Sequence, residues 1–300
     1  MKGNSVVDTL NSINYLRGNR FATKIGNTGA MTTNSEFGRL LKEWRSLRNL
    51  SQLDLSVDAG ISQRHISFLE SGRSKPSREI ILLLAEVLNL PLRERNAILL
   101  AAGYASVYQQ RDLSSSEMQA IRQALELTLR HHEPYPALVA DRDWNMLMAN
   151  NSMQKVFGLF GNLDALWKET CPDGAKNVLR LTCHENGLRK YCDNWEELGP
   201  MLLMRSRREA NLQGNAELNA MLDEIATWPG IPDSWTRLDI QHAAPPIIPM
   251  SITQGGLTIK LFSLISTFGT AHDVTAEELR VECFFPADER SKQLITALAG

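Results

Sequence analysis

The stretch that decides the fold reads LSQLDLSVDAGISQRHISFLESGRSKPS and spans residues 50–77. Counted from Gln52, the fifth position is the small residue Ser56 and the ninth position is Gly60. A small residue lets two helices cross closely, and glycine adopts a left-handed backbone turn without strain. This spacing predicts two short helices that are joined by a tight turn.

Further helical patterns surround this pair. Ile66 and Leu69 stand at the fifteenth and eighteenth positions, where apolar side chains bury one face of the second helix of the pair. Ser51, Ser62 and Ser77 stand where a hydroxyl can cap the start of a helix. Together with the apolar periodicity before and after the stretch, these signals predict a bundle of five short helices.

At these residues the chain resembles the Xre/Cro family of helix-turn-helix repressors. The resemblance is carried by LSQLDL at 50–55, AGIS at 59–62, HISFLESGR at 65–73 and KPS at 75–77. It implies an all-α, five-helix, lambda-repressor-like domain over residues 34–104. Its third helix would enter the major groove of double-stranded DNA.

The resemblance also indicates which residues contact DNA. The first turn of the third helix would meet base edges, where Gln pairs with adenine and Arg pairs with guanine. Because one such unit reads only a few base pairs, we expect a homodimer on a two-fold operator. The predicted DNA-binding residues are Gln52, Ser62, Gln63, Arg64, His65, Ser67, Arg73, Lys75 and Arg78.

Composition and charge constrain the chain without identifying a partner. Of the 300 residues, 43% are hydrophobic and 22% are charged, which is typical of folded globular proteins. The formal net charge of −2 provides no general attraction to nucleic acid, so any basic surface must be local, as at residues 62–78. A small helical bundle could instead bind a protein.

The cysteines favour a reducing compartment. Cys171, Cys183, Cys192 and Cys283 include no CxxC pair, and neither a signal peptide nor a long apolar run accompanies them. We therefore expect a cytoplasmic protein with no membrane partner. Cys183, His184 and Cys192 lack the spacing of a common zinc site, so we expect no metal.

Residues 1–33 read as a flexible tail that is rich in Asn, Gly and Thr. Its basic balance would also suit an arm in the DNA minor groove, and Met31 is an alternative start. We expect that deleting residues 1–30 leaves folding and DNA affinity nearly intact.

A second domain is predicted over residues 115–300, after a polar linker at 105–114. Short apolar runs, of which the first two flank a turn at 141–143, predict five strands around a helical middle. This is an α+β plan, an antiparallel sheet with helices on one side. The predicted strands are residues 137–141, 144–149, 247–253, 257–268 and 279–285.

The segment PALVADRDWNMLMAN at 136–150 resembles the opening of the ligand-binding domain of MmyB-like regulators, which follows an Xre/Cro domain in the same order. Shorter similarities lie at 193–195 and 203–205. The resemblance implies a PAS-like domain whose curved sheet and flanking helices enclose a small apolar ligand such as a fatty acid. No other cofactor is expected.

Strand alternation predicts that Trp144, Met146 and Met148 share one face, which helical apolar residues could cover. Methionine and aromatic side chains line adaptable apolar pockets, but each could equally belong to an ordinary core. Asn150 and Arg205 are the polar candidates. The predicted ligand-binding residues are Trp144, Met146, Met148, Asn150, Phe157, Phe160, Trp167, Met201, Leu202 and Arg205.

These features together predict a sequence-specific DNA-binding transcriptional regulator whose second domain binds an apolar ligand that modulates DNA binding. The alternative is a second domain for dimerisation or for a protein partner, without a small molecule. An enzyme is a distant third class, with no predicted catalytic residue. The clusters at 131–133 and 183–185 place nucleophile, base and carboxylate side by side, where neighbouring side chains point in different directions.

Overall fold

The computed structural model describes residues 33–232, Trp235 and residues 247–299. The predicted tail, apart from Thr33, and the alternative start at Met31 lie outside these residues. Within them, no helix combines the length and the apolar character that crossing a membrane requires. The described chain begins with a helical region that contains α1 (Thr33–Leu47), α2 (Gln52–Asp58), α3 (Gln63–Glu70), α4 (Arg78–Val87) and α5 (Leu92–Ala101).

The helical region has the helix-turn-helix geometry that the sequence predicts. Gly60 has a φ of 64°, the left-handed conformation that the turn between α2 and α3 requires. Ser56 is buried on α2, as the close approach of the two helices demands. Ile66 and Leu69 of α3 are fully buried in the core of the bundle. The four marker positions therefore have the conformations or burial expected of them.

Serine hydroxyls cap the helix starts, as predicted. The Ser51 hydroxyl accepts a hydrogen bond from the backbone N–H of Asp54, and the Asp54 carboxylate accepts one from the backbone N–H of Ser51. This reciprocal capping box fixes the start of α2. The Ser62 hydroxyl accepts from the backbone N–H of His65 and starts α3, and Ser77 caps α4 in the same way.

The second region combines a sheet with flanking helices. Its sheet has, in the described chain, five antiparallel strands in the order β2-β1-β5-β4-β3, which confirms the predicted five-stranded sheet. The elements are α6 (Gln119–His131), β1 (Ala137–Ala140), β2 (Met146–Ala149), α7 (Asn151–Gly158), α8 (Leu163–Thr170), α9 (Val178–Cys183), α10 (Trp195–Gln213), α11 (Ala216–Ala226), β3 (Met250–Gln254), β4 (Leu257–Ser266), α12 (Val274–Glu278), β5 (Arg280–Pro286) and α13 (Glu289–Ala299).

Helices cover both faces of this sheet, so the prediction of helices on one side was wrong. Alternate residues of a strand point to opposite faces. Val139 of β1 belongs to a core that includes Leu125 and Leu129 of α6, whereas Leu138 belongs to a core that includes Val156 of α7. Every residue of β1 is buried, because the strand is apolar at each position and packs on both sides.

The segment around Trp144 differs from the predicted hairpin. Trp144 has a φ of 66° and lies in the turn before β2. The Asp141 carboxylate shapes this turn, because it accepts hydrogen bonds from the backbone N–H groups of Asp143 and Asn145, both at 2.9 Å. The predicted strand that begins at Trp144 therefore begins two residues later.

The two methionines of β2 also lie on different faces. The register of β1 and β2 shifts, so that Met148 lies opposite Val139 and Met146 lies opposite Ala140. Since Val139 and Ala140 face opposite sides of the sheet, so do their partners. The prediction that Trp144, Met146 and Met148 share one strand face was therefore wrong.

Candidate functional site

The first turn of α3 presents polar side chains to solvent. Gln63 and Arg64 are exposed, and His65 and Ser67 are half-buried. The central guanidinium carbon of Arg64 lies 5.2 Å from the centre of the Phe68 ring. This cation–π contact holds the Arg64 side chain along the surface of α3. These four predicted DNA-binding residues thus lie within the first five residues of α3.

Further cations follow α3. Arg73, Lys75 and Arg78 are exposed. Arg73 packs against the same Phe68 ring at 6.0 Å, so its charge adjoins the first turn of α3. The Lys75 ammonium lies 5.8 Å from the centre of the Tyr104 ring. The helix-turn-helix therefore carries a local cationic surface, although the whole chain is slightly acidic.

Gln52, one of the predicted DNA-binding residues, lies beside a buried carboxylate. Its side-chain amide donates a hydrogen bond of 2.8 Å to Glu70, and Arg45 donates two to the same carboxylate at 2.6 and 3.0 Å. The hydrogen bond from Arg45 to Glu70 raises the pKa of Arg45. Glu70 thus ties α3 to both α1 and α2. Ser62, also predicted to contact DNA, uses its hydroxyl as the α3 cap.

The second region forms a cavity of about 450 Å³, partly open to solvent, between the sheet and helices α7, α9 and α10. Most of its lining is apolar, and its volume falls within the roughly 300–1,000 Å³ of sites for small molecules. Six of the predicted ligand-binding residues line it, namely Trp144, Phe157, Phe160, Met201, Leu202 and Arg205.

The other four predicted ligand-binding residues do not line the cavity. Met146 and Met148 pack on opposite faces of the sheet. Trp167 is buried and packs edge-on against Phe157, with ring centres 6.1 Å apart. The Asn150 side chain bonds the backbone at the start of α7 and before β1. Asn150 is thus held by turn-forming hydrogen bonds.

One end of the cavity is polar. Glu282 of β5 is 9% exposed and lines the cavity together with Ser263 of β4. Burial raises the pKa of the Glu282 carboxyl, while the charge of Arg205 and a hydrogen bond from Ser263 act in the opposite direction. Among the described residues, no ion pair involves Glu282. A buried carboxyl therefore faces a largely apolar space.

Two guanidinium groups lie close to the Trp144 indole, which lines the cavity together with Arg205. The central carbons of Arg205 and Arg280 lie 5.1 and 5.6 Å from its ring centre. Trp144 is 1% exposed, and its indole N–H has no hydrogen-bond acceptor in the described part of the chain. Arg280 donates a hydrogen bond of 3.0 Å to Gln213 at the end of α10.

Sequence reasoning missed Glu282 and Ser263. A glutamate in an alternating strand is typical of a solvent-facing position, and here both faces of the sheet are covered. One weak signal was available. Phe284 lies two residues after Glu282, so the two side chains share a strand face, and an aromatic residue on that face is typical of a covered position.

Two residues of the cluster at 183–185 that was considered for catalysis are held in structural contacts. Cys183 is fully buried, and burial raises the pKa of its thiol to about 12, so it keeps its proton near neutral pH. The rings of His184 and Trp228 pack edge-on with centres 5.0 Å apart. Within the described ranges, no group of three or more His, Cys, Asp or Glu side chains could hold a metal ion.

A helix-turn-helix region followed by a cavity-forming α+β region defines the class of helix-turn-helix regulators that have a ligand-binding-type domain. A family model for the MmyB-like transcription regulator ligand binding domain matches residues 121–298, and a helix-turn-helix model matches residues 41–95. The chain therefore belongs to the MmyB-like transcription regulator family. Both resemblances predicted from the sequence are confirmed.

One curated relative is an HTH-type transcriptional regulatory protein by name, from Methanoculleus marisnigri. It is 26% identical to this chain over 194 residues. The similarity covers 62% of this chain and 58% of the relative, so this chain spans less than two thirds of that protein.

Proposed function

We propose that the protein is a sequence-specific DNA-binding transcriptional regulator whose second region binds a small apolar ligand, fatty-acid-like in shape, that modulates DNA binding. The observation that carries this proposal is the position of α10. This helix lines the cavity between Leu198 and Arg205, and its C-terminal end contacts the helical region at Trp44 and Arg48. The three parts of the proposal are DNA reading, ligand binding and their coupling.

DNA reading is assigned to the first turn of α3. Gln63 and Arg64 are exposed there, and their side chains have the geometry for bidentate pairing with adenine and guanine. Lys75 and Arg78 supply charges for phosphates, which position the protein without reading sequence. Since one α3 reads few base pairs, we propose that two copies bind a two-fold operator.

Ligand binding is assigned to the cavity. Its walls combine helix and strand residues that are largely apolar, with a few polar groups at one end. This distribution is typical of small-molecule sites, in which apolar surface provides affinity and sparse polar groups provide orientation. An apolar ligand of fatty-acid-like shape fits this arrangement.

Coupling is assigned to α10 and α1. Leu202 and Arg205 of α10 line the cavity, and the carbonyl of Leu212 near its end accepts a hydrogen bond of 3.1 Å from Arg48, the residue directly after α1. Gly214, directly after α10, lies against the Trp44 ring of α1, where an added Cβ would come within 2.7 Å of a ring carbon. A shift of α10 would therefore press on α1.

Helix α1 in turn holds the reading helix. Its Arg45 forms the buried ion pair with Glu70, the last residue of α3. Cavity, α10, α1 and α3 are thus connected by direct contacts. A ligand can use such a path only if it binds one arrangement of these helices better than another.

A second contact joins the two regions at the start of α5. Arg93 of α5 donates two hydrogen bonds to Glu278 of α12, at 2.6 and 2.8 Å. The backbone N–H of Leu92 donates one of 2.7 Å to Glu277. This contact supplies a fixed point about which a movement of α10 could act on α1.

The experiment uses the full-length chain. Duplexes are selected from a random library with the purified protein, and anisotropy titrations compare the selected duplex with a scrambled duplex of equal composition. We expect at least a 1,000-fold preference at physiological salt. A preference below tenfold would contradict DNA reading.

Mass spectrometry of molecules released from the purified protein tests the ligand assignment. We expect a small apolar compound in a near 1:1 ratio to protein. If saturating compound leaves affinity for the selected duplex unchanged, the alternative of a dimerisation or partner-binding domain becomes the better account.

A further inference from the structure

We propose that the cavity selects a ligand whose apolar body carries a neutral head group that both donates and accepts hydrogen bonds, as a primary amide or an alcohol does. The head group would bind at Glu282 and Trp144, and the apolar body would fill the remaining cavity. This inference rests on the proposed function, because it names the class of molecule that the same cavity takes.

Glu282 favours a ligand whose head group donates hydrogen bonds. Its carboxyl is 9% exposed, lines the cavity and forms no ion pair among the described residues. One hydroxyl, that of Ser263, bonds it. A carboxylate has sites for about four hydrogen bonds, and a buried polar group that lacks partners is destabilising. A head group that donates hydrogen bonds would supply such a partner.

Trp144 favours a ligand whose head group also accepts a hydrogen bond. Its indole N–H is buried and has no acceptor within the described residues. Arg205 connects the two groups, because it stacks on the Trp144 ring at 5.1 Å and its charge acts on Glu282. A donor without a partner, the Trp144 N–H, and an acceptor that can take further hydrogen bonds, the Glu282 carboxyl, therefore lie at one end of the cavity. An amide or a hydroxyl can serve both.

Simple charged amphiphiles fit this end less well. A fatty-acid carboxylate accepts hydrogen bonds but brings a second negative charge next to Glu282, which is unfavourable in a buried site. An alkylammonium donates hydrogen bonds but has no acceptor for Trp144. It also adjoins the guanidinium groups of Arg205 and Arg280, which lie close to the indole.

The experiment compares four probes that share a twelve-carbon chain: dodecanamide, 1-dodecanol, dodecanoate and dodecylamine. Affinities for the full-length chain are measured below the micelle concentration of each probe. The variants are Glu282→Gln, which removes the charge with little change in shape, and Trp144→Phe, which removes the indole N–H. Glu197→Gln is the matched control, because Glu197 is an exposed glutamate on α10 that does not line the cavity.

We expect dodecanamide and 1-dodecanol to bind at least tenfold more tightly than the two charged probes. In wild type, dodecanoate should bind more weakly than 1-dodecanol. In Glu282→Gln, this ratio of affinities should fall at least tenfold, whereas Glu197→Gln should leave it unchanged. Trp144→Phe should weaken the two neutral probes and leave dodecylamine nearly unchanged.

The results separate two kinds of failure. The head-group assignment is overturned if dodecanoate binds as tightly as dodecanamide, or if Glu282→Gln leaves the order of probe affinities unchanged. In either case the cavity would remain an apolar ligand site. If none of the four probes binds the wild-type chain, both the head-group assignment and the proposed ligand-binding function are overturned.

Discussion

Two buried glutamates show how differently the two regions use polar residues. Glu70 of the helical region has a side chain that is 5% exposed, and its carboxylate accepts hydrogen bonds from Arg45 and Gln52. Glu282 of the sheet region is similarly buried, lines a cavity and forms no ion pair among the described residues. A buried carboxylate that is ion-paired within the fold organises that fold, whereas a buried carboxyl that lines a cavity and has few partners indicates a place where a ligand can bind.

The largest expected effect is that of replacing Glu70, the ion-paired glutamate. Glu70→Ala leaves Arg45 buried and unpaired, which should lower the free energy of unfolding of the helical region by about 3–5 kcal/mol. Denaturant titration followed by circular dichroism measures this loss.

Glu36→Ala is the matched control for Glu70→Ala. Glu36 pairs with Arg39 on the exposed surface of α1, and such pairs contribute about 0–1 kcal/mol. If both variants lose the same free energy of unfolding, burial does not make the ion pair of Glu70 more stabilising than an exposed one.

The next effect concerns the exposed surface of the helical region. Arg64→Ala and Gln63→Ala should each weaken binding to the selected duplex by about 1–3 kcal/mol and relax the preference at one base position. Lys75→Ala should weaken all duplexes alike, because a phosphate contact carries no sequence information. Titrations over a panel of single-base variants decide between these patterns. An unchanged base preference in Arg64→Ala would contradict the assignment.

The same contrast explains how far the sequence could be read. The helix-turn-helix depends on residues that are close in the chain, such as Ser51 with Asp54, and on Gly60 in a turn. Local rules for caps and turns therefore predicted its geometry and the exposed residues of α3. The five-stranded sheet was also predictable, because its apolar runs are continuous.

The cavity could be predicted only in part. Its polar end joins Trp144, Arg205, Ser263 and Glu282, which lie on separate elements and meet only after the sheet has formed. The apolar residues that line it have the same sequence signature as ordinary core. The register shift that separates Met146 from Met148 leaves no mark in an alternating pattern.

Filling the cavity tests whether it is a ligand site. Leu202→Trp adds a large side chain to a cavity-lining position on α10 and should weaken dodecanamide binding at least tenfold. Leu127→Trp, at an exposed position of α6 that does not line the cavity, is the control and should leave binding unchanged. Equal probe affinity in the two variants would place binding outside this cavity.

The smallest expected effect concerns the junction of α10 and α1. In Gly214→Ala the new Cβ would meet the Trp44 ring at 2.7 Å, in addition to the strain of a φ of 62°. Gly174→Ala is the control, because Gly174 also has a positive φ, of 84°, and nothing within 4 Å. We expect Gly214→Ala to lose about 1 kcal/mol more than the control in unfolding free energy.

The junction variant should also weaken coupling between the cavity and DNA. In Gly214→Ala, saturating probe should change affinity for the selected duplex less than it does in wild type, whereas Gly174→Ala should retain the full change. If the probe changes duplex affinity equally in both variants, the contact of Gly214 with Trp44 does not contribute to the coupling between the cavity and DNA.

The most direct test of the account is the affinity of the full-length chain for dodecanamide, measured with and without saturating selected duplex. Linkage requires that ligand and DNA change each other's affinity by the same factor. If the cavity and α3 are coupled through α10 and α1, duplex should change probe affinity by about 5- to 150-fold, which corresponds to roughly 1–3 kcal/mol. The probe should change duplex affinity by the same factor. Probe affinity that is identical with and without the duplex would contradict the account.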